Sequence, residues 1–262
     1  MKELSPEESK SILVEILESI DSCCRNNHIS YSLAYGTLLG AVRHHGFIPW
    51  DDDIDLMMKR DQLDLFIKCY DDSRYDLISN DDPEWGWHYV RIADKRTILE
   101  FQNSYERVRP HGLWVAIFPV DNAPDGEGEW QKMKKEIQFY TNLGRFKRSR
   151  WAPTGFVRNI LKALMRILLV PVSRVKLAKL EEKKMKTYNN TVTSRCFNRV
   201  IKYQLMPSYF FDSIIDLDFE GKKYMGISCY DEYLRNEYGN YMQFPPVSDR
   251  VPRHDYKVYS VE

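Results

Sequence analysis

Four aspartates fall within five consecutive positions of this chain, at Asp51, Asp52, Asp53 and Asp55. Like charges this close repel one another unless a cation offsets them or water surrounds every carboxylate. Apolar residues flank the cluster on both sides, which disfavours a solvated loop; they are Phe47-Ile48-Pro49-Trp50 and Leu56-Met57-Met58. The cluster therefore indicates a site for a metal cation.

The run from Asp53 to Met58 predicts a β-strand, which would place Asp53 and Asp55 on the same face. Paired carboxylates suit Mg²⁺, a hard ion that takes oxygen ligands and often bridges to substrate phosphates. Asp51 either joins a second metal site or caps the bend after Pro49, whereas Asp52 alternates to the opposite, structural face. The metal candidates are therefore Asp51, Asp53 and Asp55, for one or two Mg²⁺ ions that Mn²⁺ could replace.

A second group of candidates precedes the aspartates. Gly36 and Thr37 form either an ordinary tight turn or a site where the backbone approaches a phosphate. Arg43 and His44 follow where a diphosphate would need cations, although an arginine on a helix surface is also common. These four residues are candidates for binding a phosphorylated substrate.

Aromatic residues alternate with other residues at Trp85, Trp87 and Tyr89, just before Arg91. The alternation predicts a strand over 85–91 with all four side chains on one face. The aromatic rings form either a box for a quaternary ammonium group, through cation–π contacts, or part of the core. Cationic candidates for phosphate contacts in this part and in the C-terminal tail are Arg91, Lys95, Arg250 and His254.

The predicted secondary structure places these residues on a small sheet. Ser5-Pro6-Glu7-Glu8 is a capping box for a helix that runs to about Asn26. A strand over 29–33, the aspartate strand, a helix over 60–70 and a strand over 112–118 closed by Pro119 follow. This order predicts an α/β (α+β) fold, a mixed sheet flanked by helices, with a basic helical insertion.

Charge is distributed unevenly, since residues 131–202 contain 19 Lys or Arg and three Glu while the whole chain has zero net charge. Within this region residues 156–170 predict a basic amphipathic helix, which a second helix continues to Lys186. The helices either dock on an anionic membrane surface or pack on the core with their basic stripe in water. Nucleic acid is disfavoured because no recognisable nucleic-acid-binding motif is present.

Composition favours three regions: a core at 1–125, a basic, mostly helical region at 126–210 that faces a membrane or an acceptor, and a C-terminal segment at 211–262 that packs back on the core. Within the last region residues 224–256, rich in Tyr and Pro, predict irregular structure. Five scattered cysteines predict free thiols. The charged N-terminus lacks a signal-peptide pattern, and no stretch of about 20 apolar residues occurs. These features favour a cytoplasmic protein.

Residues 36–43 and 46–55 resemble the LicD family of phosphocholine transferases, whose relatives include fukutin and fukutin-related protein. The resemblance continues at Arg91–Asp94, Gly112–Asp121, Tyr238–Met242 and Pro245-Pro246. It implies a nucleotidyltransferase-like fold that transfers phosphocholine from CDP-choline, or a related group from another CDP- or CMP-linked donor. The implied acceptor is a hydroxyl of a teichoic acid, lipopolysaccharide or capsule precursor.

The resemblance also implies roles for individual residues. Asp53 and Asp55 would hold Mg²⁺ for in-line phosphoryl transfer, with CMP as the leaving group. Gly36 and Thr37 would seat the donor phosphates, while Arg43 and Arg91 would balance their charge. A lipid-linked acceptor would place the protein on the inner face of the plasma membrane, in contact through the helices at 156–186.

The chain departs from the family pattern at Ala116, where an aspartate usually completes the metal site. Asp121 is a poor substitute because it would lie on the opposite strand face. Three explanations remain open: an engineered inactive variant, a natural pseudoenzyme, or replacement of the missing carboxylate by Asp51 or Asp94. A catalytically dead scaffold and a true nucleotidyltransferase, which leaves AMP or CMP on its substrate, are therefore the alternatives to a phosphotransferase.

Overall fold

The computed structural model describes residues 1–83, 85–101, 112–148, 156–199, 202–252, 254 and 256–261. Within these ranges the helices are α1 Pro6–Asn26, α2 Tyr35–His44, α3 Arg60–Cys69, α4 Glu127–Arg148, α5 Phe156–Leu169, α6 Arg174–Met185 and α7 Tyr230–Tyr238. The strands are β1 Lys2–Glu3, β2 Ser32–Leu33, β3 Asp55–Lys59, β4 Tyr75–Ile78, β5 Val90–Asp94, β6 Thr97–Phe101, β7 Trp114–Ala123, β8 Arg195–Arg199, β9 Tyr203–Pro207, β10 Ile214–Phe219, β11 Lys222–Ile227 and β12 Tyr256–Ser260.

A mixed sheet lies at the centre of the molecule, with the strand order β2-β3-β7-β5-β4. Strands β3 and β7 are parallel, whereas the other neighbours in this order are antiparallel. Strand β8 pairs with the distal part of β7, and β9 pairs with β8. Helices and a mixed sheet together confirm the predicted α+β class.

Helix α1 forms as the sequence predicts. The Ser5 hydroxyl accepts a hydrogen bond from the Glu8 amide, and the Glu8 carboxylate accepts one from the Ser5 amide, which completes the capping box. The residues that α1 buries recur at helical spacing, and they are Leu13, Ile16, Leu17, Ile20 and Cys24. This stripe contributes to the main hydrophobic core.

The sequence predicts that the strand ends at Pro119. In the structure β7 continues to Ala123. The Ala116 amide donates to the Ile54 carbonyl on the β3 side, so the backbone of Pro119, three residues on, faces the opposite side. On that side the pairing with β5 ends at Ile117 and the pairing with β8 begins at Asp121. Pro119 therefore lies in a gap between two partner strands, where its missing N–H costs no ladder hydrogen bond.

Two other predicted elements differ from the structure. The strand predicted over 85–91 is wrong, because residues 85–89 form no strand and β5 begins at Val90. The C-terminal part predicted as irregular contains β11, α7 and β12. It does pack back on the core, since β12 pairs with β6 and β1 while Tyr233 and Leu234 of α7 are buried.

The basic region consists of α4, α5 and α6, followed by β8 and β9, which join the central sheet. Helix α4 packs against this end of the sheet through a small apolar cluster of Trp130, Met133, Ile137, Met185 and Phe197. The division of the chain into three regions stays a prediction.

A buried ion pair joins α3 to the far end of β7. The Arg60 guanidinium donates two hydrogen bonds to the Asp121 carboxylate, at 2.9 and 2.6 Å, and Asn189 donates a third at 2.6 Å. Arg60 also donates to Glu182 of α6 at 3.1 Å. Asp121 therefore links α3, β7 and the basic region.

We expect Asp121→Ala to lower the free energy of unfolding by about 3–5 kcal/mol, because the change leaves the Arg60 charge buried and without its main partner. Chemical denaturation would measure this loss. The control is Asp218→Ala, which removes an exposed pair with Lys223 and should cost no more than about 0.5 kcal/mol. Equal losses in the two variants would contradict a structural role for Asp121.

Candidate active site

A cavity of about 830 Å³ lies beside the N-terminal half of α2, the segment 48–55 and the end of α7. Its charged lining residues are Arg43, Asp51, Asp53, Asp55, Lys202, Glu237 and Asp249. Its aromatic lining residues are Tyr35, Trp50, Tyr238, Tyr241 and Phe244. The volume lies in the range of a pocket for a small organic ligand or a nucleotide-sized molecule.

All three predicted metal ligands line this cavity, and we call Asp51, Asp53 and Asp55 the carboxylate cluster. Asp55 is the first residue of β3, and Asp53 precedes the strand instead of lying within it. The three side chains share one cavity, and their joint role as metal ligands stays a prediction. An oxygen-only donor set of this kind fits Mg²⁺ or Mn²⁺, which are hard cations.

Gly36 makes room for one of these carboxylates. A Cβ atom built on Gly36 would lie only 2.5 Å from the Oδ2 atom of Asp51. Any other residue would therefore push the Asp51 side chain out of its position. The requirement for glycine at this point comes from a close approach between α2 and the segment before β3.

Thr37 lies behind the carboxylate cluster. Its side chain is buried and its hydroxyl accepts a hydrogen bond of 2.9 Å from the Asp55 amide. This contact holds the start of β3 against α2 and so positions the Asp55 carboxylate. Thr37 does not line the cavity, and its predicted contact with donor phosphates stays a prediction.

Ala116 lies directly beside the carboxylate cluster. It is the register partner of Asp55 on one side and of Arg91 on the other, so that the three residues form a row across β3, β7 and β5. Paired residues of neighbouring strands project to the same face of a sheet. A carboxylate at position 116 would thus lie next to that of Asp55.

The two alternative carboxylates named above lie in different places. Asp94 is buried, and its carboxylate accepts hydrogen bonds from the backbone amide and the guanidinium of Arg96, the shortest at 2.6 Å. Asp51 lines the cavity. Of the two, only Asp51 is placed to substitute for the missing group.

The predicted aromatic box contains a cation from the chain itself. The Arg91 guanidinium lies 4.2 Å from the ring centre of Trp85 and 3.5 Å from that of Trp114, and it donates to the Tyr89 hydroxyl at 3.0 Å. Trp87 packs against Trp85 and Tyr89, with ring centres 6.0 Å from each. Neither these aromatic residues nor Arg91 line the cavity. Guanidinium stacking therefore explains the cluster.

Arg91 lies close enough to Asp55 of the carboxylate cluster for the two charges to interact. Burial lowers the pKa of Arg91, while its contact with Tyr89 and the charge of Asp55 oppose this effect. Arginine keeps its proton under any physiological condition. Arg91 is thus a fixed positive charge behind the cluster.

Arg43 lines the cavity and is held in place on two sides. It donates one hydrogen bond to the Tyr241 carbonyl at 2.6 Å and another to the His44 ring at 2.9 Å. Burial and the Arg43 charge lower the pKa of His44, which therefore accepts as a neutral ring. His44 itself does not line the cavity.

Lys95 lies apart from these residues. It is placed at the turn between β5 and β6, where its ammonium pairs with Asp76 at 3.3 Å and donates to the Ser73 carbonyl at 3.0 Å. Lys95 is exposed and does not line the cavity. The structure therefore does not bring it together with the other candidates.

His254 of the C-terminal tail contacts the aspartate segment from the side opposite to α2. Its Nδ1 atom lies 2.9 Å from Asp52, and its Nε2 atom lies 3.8 Å from Asp53. Burial opposes protonation of the ring, but the hydrogen bond with Asp52 and the charge of Asp53 outweigh it and raise the pKa of His254. Asp52 is thus a partner of the tail, and with Asp53 and His254 it forms a group whose ligand atoms lie within 4.8 Å of one another, so its structural role stays a prediction.

Tyr35 is a candidate that the sequence did not reveal. It lines the cavity with a backbone φ of 46°, a left-handed conformation that is strained for a bulky residue. Its buried hydroxyl has no hydrogen-bond partner among the described residues. Burial raises the pKa of Tyr35 well above its usual value, so the group stays an O–H donor. No sequence signal marks a strained tyrosine.

Comparison with known proteins places this cavity in context. Residues 28–154 match the family model described as LicD/FKTN/FKRP, nucleotidyltransferase domain. The whole chain is 30% identical to the lipopolysaccharide cholinephosphotransferase LicD of Haemophilus influenzae, over 99% of each protein. A segment of 54 residues is 43% identical to an uncharacterised protein of Rickettsia prowazekii, covering 20% of each.

We expect Gly36→Ala to weaken the binding of Mn²⁺ at least tenfold, because the new methyl group displaces the Asp51 carboxylate. Titration followed by electron paramagnetic resonance would measure the affinity. The control is Gly128→Ala in α4, where a Cβ meets nothing within 4 Å and binding should stay unchanged. Unaltered Mn²⁺ affinity in a folded Gly36→Ala protein would exclude Asp51 from the site.

Proposed function

This chain belongs to the LicD family, and we propose that it is a Mg²⁺-dependent phosphotransferase. It moves phosphocholine, or a related phospho-substituent, from a CDP-linked donor to a hydroxyl of a cell-surface glycan precursor. The full-length similarity to a lipopolysaccharide cholinephosphotransferase supports this reaction. The observation that carries the proposal is the convergence of the carboxylate cluster with Arg43 on one cavity.

The residues of the cavity divide the work of phosphoryl transfer among them. Asp53 and Asp55, with Asp51 beside them, would hold Mg²⁺, which when bound neutralises charge on the donor phosphates and on the departing CMP. Thr37 fixes the backbone of Asp55, and Gly36 leaves the space in which Asp51 lies. Of the three carboxylates Asp55 lies on β3, while Asp51 and Asp53 lie in the segment just before it.

Arginines on two sides balance the charges of this site. Arg43 faces the cavity and is the residue we assign to the donor phosphates, because its guanidinium is fixed by Tyr241 and His44. Arg91 lies behind the carboxylate cluster and compensates part of its charge. The donor-binding role first predicted for both arginines is therefore proposed for Arg43 alone.

The transferred alcohol needs its own subsite. Because Trp85 and Tyr89 enclose Arg91, we place the quaternary ammonium of phosphocholine elsewhere in the cavity, against Tyr35 and Tyr238. The Glu237 carboxylate lines the same cavity and adds the opposite charge. Aromatic faces and a carboxylate together are the usual means of binding such a cation.

The acceptor we propose is a lipid-linked glycan, met at the inner face of the plasma membrane through the basic helices at 156–186. Teichoic acid, lipopolysaccharide and capsule precursors all carry suitable hydroxyls. The name of the relative from Haemophilus influenzae includes lipopolysaccharide. Among these acceptors, lipopolysaccharide is therefore the first to test.

A second candidate function rests on Ala116. A catalytically dead member of the family would bind the donor through the same cavity and act as a scaffold in the glycan pathway. The alanine removes the carboxylate that would lie beside Asp55 and complete the metal site or activate the attacking hydroxyl. Donor binding and turnover must therefore be tested separately.

We expect CDP-choline with Mg²⁺ to raise the melting temperature by about 5 °C or more at concentrations far above its Kd, because ligand binding stabilises only the folded state. Asp53→Asn should abolish this shift, whereas Asp71→Asn, at an exposed position, should preserve it. An unchanged melting curve of the native chain with millimolar donor and Mg²⁺ would contradict both candidate functions.

We expect Ala116→Asp to raise turnover of CDP-choline at least about a hundredfold, the usual contribution of a positioned acid–base group. The control Gly128→Asp, at an exposed position of α4 outside the cavity, should yield no such gain. Measurable and equal turnover in the native chain and in the Ala116→Asp variant would mean that another group already serves.

Analysis of the products in the same assay identifies the reaction. A phosphotransferase releases CMP and leaves phosphocholine on the acceptor, whereas a nucleotidyltransferase releases pyrophosphate from a nucleoside triphosphate and leaves the nucleotide. Mass spectrometry of the acceptor distinguishes the two. Nucleotide on the acceptor would refute the proposed phosphotransferase.

A further inference from the structure

Helix α5 presents its apolar side to solvent. Five aliphatic side chains of α5, and that of Val170 just after it, are between 46% and 75% exposed. The five are Ile160, Leu161, Leu164, Ile167 and Leu168. Within the helix they recur at the spacing i, i+1, i+4, i+7 and i+8, which forms one continuous face. We call these six residues the α5 apolar face.

Three polar residues of α5 are partly buried, whereas Arg158 at its start is exposed. The three are Asn159, Lys162 and Arg166, and the Arg166 guanidinium lies 5.7 Å from the ring centre of Phe146 in α4. The Lys147 ammonium of α4 donates to the carbonyl of Leu169 at 2.7 Å and to that of Val172. A helix on the surface of a water-soluble domain normally has the opposite orientation.

The charge around this face is of one sign. From Ile137 to Leu180 the chain contains ten Lys or Arg residues and no Asp or Glu. A second copy docking here would bring two such basic regions together, and like-charge juxtaposition opposes that association. Nucleic acid would use the cations but would leave the aliphatic side chains in water. An anionic lipid surface accepts both features.

We propose that α5 is a membrane-docking helix, which lies in the plane of an anionic bilayer and inserts its apolar face below the headgroups. The helix has 14 residues and is about 21 Å long. No helix in the described ranges is long and apolar enough to cross a bilayer, so the contact is one of surface insertion. This inference rests on the proposed function, and it identifies the surface that meets the lipid-linked acceptor.

Vesicle flotation with the full chain tests the proposal directly. Vesicles of phosphatidylcholine with 30% phosphatidylglycerol should bind the native chain at least about tenfold more strongly than pure phosphatidylcholine vesicles. Leu164→Gln/Leu168→Gln should reduce that binding at least tenfold, because two apolar side chains no longer insert. The control Val192→Gln/Val247→Gln changes exposed aliphatic residues outside α5 and should bind like the native chain.

Three results would overturn the proposal. The native chain could fail to float with either vesicle, or Leu164→Gln/Leu168→Gln could bind anionic vesicles as the native chain does. A dimer in size-exclusion chromatography that the same variant dissociates would instead assign the apolar face to a second copy. The melting shift with CDP-choline and Mg²⁺, measured on this variant, keeps the two proposals separate because α5 does not line the cavity.

Discussion

The parallel pairing of β3 with β7 determines which residues lie beside Asp55. Its register places Asp55 opposite Ala116, and the antiparallel pairing of β7 with β5 extends the row to Arg91. A shift of one residue would turn Asp55 to the other face of the sheet. The same strand β7 carries Asp121 at its far end, where Arg60 holds it. Strand β7 therefore separates the carboxylate cluster at one end of the sheet from the ion pair at the other.

Local sequence signals predicted the elements whose cause is itself local. The capping box at Ser5 and the apolar stripe of α1 were sufficient for that helix, and the charge density at 51–55 was sufficient to locate the carboxylate cluster. The predictions failed where the cause lies in a distant part of the chain. Pro119 fits inside β7 only because β5 ends and β8 begins on either side of it, which no local pattern reveals.

The contacts of aromatic side chains likewise depend on distant parts of the chain. Alternating rings at 85–89 predicted either a box for a quaternary ammonium ligand or part of the core, but the cation they contact is Arg91, which stacks between Trp85 and Trp114. The guanidinium groups of Arg43 and Arg250 likewise lie over the Phe244 ring, 4.8 and 5.4 Å from its centre. In this protein several rings serve to orient arginines, so aromatic content alone does not locate a ligand.

The zero net charge of the chain conceals a separation of charge that orients the molecule. Residues 131–202 carry a large excess of Lys and Arg, so the rest of the chain carries the matching excess of acidic residues, including the carboxylate cluster. An anionic lipid surface attracts the first region and repels the second. The charged groups that line the cavity are five carboxylates and two cations, Arg43 and Lys202, and the excess of negative charge would repel the phosphates of a donor. We therefore propose that donor binding depends on a divalent cation in the cluster, whereas membrane contact depends on α5 and its basic surroundings. The two halves of the proposed reaction are thus governed by charges of opposite sign on separate parts of the protein.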